Sequence, residues 1–158
     1  MNDEQLRAML VGAVAAARRG ADQEAVLLCD CLTTGSEQLA RDGIRQLAMA
    51  NVEMLRSLVE LPSEGMPLFV IDGEDADGGR ISIDEFEPAQ RAATRVMLAY
   101  AHDRPADADL QLDVVATIPG PAEMRLVFVH ILCWTLELLD LCGERDQPVP
   151  GWLRPVAA

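Results

Sequence analysis

Apolar residues recur at helical spacing along most of this chain, and the breaks between them carry helix-start and helix-stop chemistry. Asn2 followed by Gln5 has the spacing of a capping box, and Gly20 is placed as a C-terminal stop. An alanine-rich first helix is therefore expected over about residues 3–19. Asp22 is placed to cap a short second helix, 23–32, which ends at "TTG". Ser36 opens a third, whose Leu39, Ile44, Leu47, Ala48, Leu55, Leu58 and Val59 keep the helical period up to Leu61, before Pro62 stops it. Glu87–Pro88 starts a fourth, to about His102, with proline at the first helical position. A fifth is expected over 108–117 and a sixth over 122–142, closed by Gly143.

The period changes in "MPLFVIDGEDADGGRISIDEFEP". "LFVI" is a short β-branched and aromatic run, "RISI" alternates in twos, and Gly73, Gly78 and Gly79 lie between them. That pattern predicts a β-hairpin over about 66–86 with a long acidic loop. The tail, 144–158, holds three prolines and is expected to be extended.

Helix, short helix, "TTGS" or "TIPGP", long helix: this order occurs on both sides of the hairpin. The fold expected is mainly α, about six helices in two similar three-helix units, 1–61 and 88–143, joined by the hairpin as one domain. In the sixth helix, "MRLVFVHILCWTLELLDL", apolar residues occupy nearly every face from Leu126 to Leu136. A helix apolar all round must be buried all round, which a central position or a second copy of the chain can supply. The second route predicts a homodimer with Phe128, Leu132 and Trp134 as contacts, and a charge at Leu132 is expected to disrupt folding or assembly.

Composition sharpens this picture. Half the residues are hydrophobic but only two Trp, one Tyr and three Phe are present, so the core is aliphatic and alanine-rich, a mix that favours helices. The formal charge of −13 argues against nucleic acid and against an anionic membrane surface, since both need clustered cations. All thirteen basic residues are arginine, the usage expected of a GC-rich bacterial genome, so lysine-based catalysis is excluded. The N-terminal stretch lacks the basic and apolar regions of a secretory signal, and the longest apolar run is interrupted by His130 well short of the ~20 residues of a membrane span. A cytoplasmic protein with free thiols is expected.

Candidate chemistry is sparse. "GRISIDEF" resembles the closing half of a calcium-binding EF-hand loop, but no frame puts oxygen ligands at every required position, and the prolines upstream prevent an entering helix. An irregular calcium site would use Asp72, Asp75, Asp77 and Glu85. His130 and Cys133, at i, i+3, supply two zinc ligands and would need Cys29, Cys31 or Cys142 to complete a site. Four serines and two histidines form no nucleophilic triad, and no phosphate-binding glycine loop is present, so no cofactor is expected. The leading expectation is a non-catalytic interaction or regulatory module, pairing with itself or with another protein. The alternatives are a small-molecule-binding protein or enzyme with a pocket between the two units near Tyr100, His130 and Trp134, and a calcium or zinc module.

Overall fold

Residues 1–59 and 73–157 are described in a computed structural model of the chain, and they are mainly helical. Helix α1 spans Asp3–Arg18. The Asn2 side chain accepts the Gln5 N–H at 2.8 Å and the Gln5 side chain accepts the Asn2 N–H at 3.1 Å, a reciprocal cap. Gly20, at φ +70°, turns the chain out of α1, its N–H going to the Ala17 carbonyl and that of Ala21 to Ala16.

Helix α2 spans Asp22–Thr34, and its cap position is Ala21 rather than Asp22. Asp22 instead lies in the first turn, where its charge complements the helix dipole. Helix α3, Glu37–Leu58, is capped by Ser36, whose Oγ accepts the Leu39 N–H at 3.0 Å.

The hairpin is short. Strand β1, Gly73–Glu74, pairs antiparallel with β2, Arg80–Ile81, Gly73 opposite Ile81. "LFVI" and Pro62 lie outside the described residues. The "RISI" strand stops early because Ser82 caps a 3-10 turn, Ile83–Glu85, with Glu85 closing the box. Phe86 is buried against Gly73, where a Cβ would sit 2.3 Å from the ring.

Helix α4 spans Pro88–Ala101. Helix α5, Pro105–Ala116, begins three residues before its predicted start, with Pro105 at the first helical position. Helix α6, Ala122–Glu144, runs through Gly143 and ends in a left-handed Asp146, φ +51°. Among the described residues the chain thus forms seven helices, because the tail is not extended. A 3-10 turn, Gly151–Leu153, leads into α7, Arg154–Ala157, and Leu153 is fully buried. Arg18 of α1 holds this tail by donating to the Val156 carbonyl, and pairs with Asp140 of α6 at 2.9 Å.

The two long helices, α3 and α6, make the most extensive contact and form the centre of the core, with α1 and α4 against them. Gly43 lets them approach: a Cβ there would sit 3.2 Å from the Phe128 ring. Two turns further along α3, buried Asn51 donates to the Ile131 carbonyl at 3.1 Å, which the Thr135 hydroxyl also reaches at 3.0 Å. At the periphery Arg41 and Arg45 of α3 pair with Asp113 and Asp109 of α5, at 2.7 and 3.0 Å. Reciprocally, Arg125 of α6 pairs with Asp30 of α2 at 3.1 Å. Exposed pairs of this kind add little stability, but they fix how each short helix lies on the opposite long one.

By length and composition α6 meets the requirement for crossing a bilayer, and 44% of its most apolar stretch is buried inside the fold. A core helix passes the same test, and α6 serves as one here.

Candidate functional site

The predicted interface residues are already covered. Phe128 and Leu132 are buried in the chain's own core, and Trp134 is half-buried against it. Of the three expected contacts, intramolecular packing thus takes up Phe128 and Leu132 and leaves Trp134 partly open.

The acidic loop is organised by its own backbone. Asp75 Oδ1 accepts the N–H groups of Asp77 and Gly79 at 3.0 and 2.7 Å, and Gly78 takes φ +78°. Glu85 accepts the Ser82 N–H at 2.7 Å, and Asp84 pairs with Arg95 at 2.6 Å. Asp72 lies outside the described residues. Among those described, no three acidic, cysteine or histidine side chains are grouped to hold a metal ion: His130 and Cys133 gain no third ligand, and Asp75, Asp77 and Glu85 do not form a cluster by themselves.

The thiols differ sharply in environment. Cys29 and Cys142 are buried, whereas Cys31 and Cys133 are exposed. Burial, helped by the neighbouring Asp30 carboxylate, pushes the Cys29 pKa from its ordinary 9.0 to about 11. Its neutral form is thus favoured on folding. That stability is present below pH 9 and is lost as pH rises through the interval up to about 11. Iodoacetamide at about pH 8 should alkylate Cys31 first, Cys133 next, and Cys29 and Cys142 only on unfolding. Peptide mass spectrometry checks the order; Cys29 reacting as fast as Cys31 would contradict its burial.

Of the predicted pocket residues, Tyr100 borders a groove built on α3. That groove, about 410 Å³, follows the outward face of α3 between α4 on one side and α1 with the tail on the other. Gln46, Met49 and Glu53 line it along α3, and Arg7, Trp152 and Tyr100 stand beside them. Arg7 donates to Gln46 at 3.1 Å and lies 5.9 Å from the centre of the Trp152 ring. Arg45 donates to the Tyr100 hydroxyl at 3.2 Å, and burial raises the phenol's pKa, so it stays protonated at neutral pH. His130 and Trp134 lie elsewhere, on α6. His130 is half-buried, and desolvation lowers its pKa, which favours the neutral imidazole.

No family model matches the chain. No curated protein and no solved structure matches it either. The site must therefore be judged on its chemistry. The groove offers the guanidinium donors of Arg7 and Arg56, the carboxylates of Glu53 and Asp103, and aromatic faces, all suited to binding. The described residues bring no activated nucleophile or acid–base pair to it. Sequence reasoning missed Trp152 because the tail looked extended. It missed Arg7 and Glu53 because a charged residue on the polar face of a helix has no distinguishing local pattern.

Proposed function

We propose that the chain is a non-catalytic helical interaction module of the cytoplasm, built as two similar three-helix units and acting by pairing with itself or with another protein. The observation that carries this reading is a set of outward apolar side chains at helical spacing. Leu110 and Val114 of α5 are each 57% exposed, Ile118 follows just beyond them, and Leu27 of α2 is 64% exposed. Single exposed leucines are ordinary, but an i, i+4 pair on one helix face, continued by an apolar residue after its cap, is the form in which a helix presents a partner-binding edge. The two-unit arrangement draws support from matching parts. Helices α1 and α4 both end in a left-handed residue, Gly20 and Asp103, and the α3–α5 ion pairs mirror the α6–α2 one.

A second reading is a small organic ligand in the α3 groove, favoured by Arg7 held in place over Trp152. Native mass spectrometry of protein purified without chelator separates the two. A dimer without adduct is the expected result for the self-pairing form. A monomer carrying an organic mass would replace the interaction reading with the ligand one. A bare monomer would remove self-pairing and leave the partner described next.

A further inference from the structure

The outward face of α6 has a seven-residue repeat. Glu123, His130, Glu137 and Glu144 stand seven apart, and Leu126 and Cys133 fall three residues after the first two of them. With 3.6 residues per turn these positions form one stripe along the helix. Every one of them is exposed or half-buried, with Leu126 46% exposed. Among the described residues no arginine pairs with Glu123, Glu137 or Glu144, although eight other arginines do hold an acidic partner. The most apolar helix of the chain thus keeps an open seam on which Glu123, Glu137 and Glu144 are uncompensated, while Asp140, seven residues after Cys133, is held by Arg18.

We propose that this seam receives a basic amphipathic helix from another protein. Its apolar side chains would lie on Leu126 and Cys133, and its lysines or arginines would meet Glu123, Glu137 and Glu144. The inference rests on the interaction-module reading and names the partner's chemistry. Charge complementarity decides the occupant. A second copy aligned antiparallel about the middle of the seam would set Glu123 against Glu144, and Glu137 against an imidazole that burial keeps neutral. A parallel copy would set each glutamate against itself. Both arrangements oppose like charges in a chain already at −13, whereas a cationic helix relieves all three carboxylates.

The test uses a fluorescent leucine–lysine peptide of about three heptads, with binding read by anisotropy at about 0.15 M salt. Glu137→Lys and Leu126→Asp, both surface changes, are each expected to weaken binding about tenfold or more. Glu53→Lys on α3 changes the net charge as much as Glu137→Lys and is expected to leave binding near that of the parent. No binding, or equal loss with Glu53→Lys and Glu137→Lys, overturns the proposal, because attraction would then be absent or only that of net charge. Sedimentation velocity on the same proteins separates the two levels of the argument. Self-association abolished by Leu126→Asp without peptide binding would keep the interaction module and make the partner a second copy. Absence of both self-association and seam-dependent binding would remove the proposal and the reading beneath it together.

Discussion

Leu132→Asp is expected to yield a chain with no cooperative thermal transition, while Leu126→Asp on the same helix melts close to the parent. Leu132 is 5% exposed and belongs to the core cluster, whereas Leu126 is 46% exposed. A carboxylate at the buried position must either lose its hydration or stay protonated, and either outcome costs several kcal/mol, on the scale of the ~5–15 kcal/mol that holds a domain together. At the exposed position the carboxylate keeps its water and the cost is within about 0.5 kcal/mol. Far-UV circular dichroism against temperature gives the comparison. A Leu132→Asp protein as stable as the parent would show that this face of α6 is not the centre of the core.

Phe128→Ala should lower the unfolding free energy by about 3–5 kcal/mol, seen as a lower urea midpoint at unchanged slope. Phe128 is fully buried, and its ring covers Gly43 of α3. The pair makes a sharper test than either residue alone. An alanine at 43 gains about 1 kcal/mol of helix propensity but brings its Cβ to 3.2 Å from that ring, so in the parent the two effects oppose each other. In the Phe128→Ala background the ring is gone and the gain should emerge in full. Equal effects of Gly43→Ala in both backgrounds would mean that the two helices do not meet at this point.

Local signals were legible wherever the deciding chemistry lay within a few residues. The Asn2–Gln5 cap, the Gly20 turn, Ser36 before α3 and Pro88 opening α4 all stand where the sequence predicts them. Errors appear where packing decides. Pro105 looked like part of a break but occupies the first turn of α5, a position that needs no N–H. Gly143 was expected to end α6, yet the helix continues for another residue and is terminated at Asp146 instead. The tail was assigned from its prolines alone, which say nothing of the pocket that takes Leu153.

The sixth helix reads as apolar on nearly every face and so as buried all round, whereas 44% of its most apolar stretch is buried, Phe128 and Leu132 inside and Leu126 outside. Periodicity reports how much of a helix is apolar; it cannot report whether α1, α3 and α4 or a second chain lies against it. The α3 groove was illegible for a related reason. Arg7, Glu53 and Trp152 come from three distant segments, and only the docking of the tail brings them side by side.

That docking also bears on the order in which the chain can fold during synthesis. The last contacts of α1 are with α6, Leu153 and α7, more than a hundred residues downstream. During synthesis α1 therefore lacks part of its cover until the tail has emerged. Contacts of such long range slow folding relative to helical bundles of purely local pairing, so α1 can dock early on α2 and α3 but closes its remaining face only when Arg18 finds Asp140 and Val156.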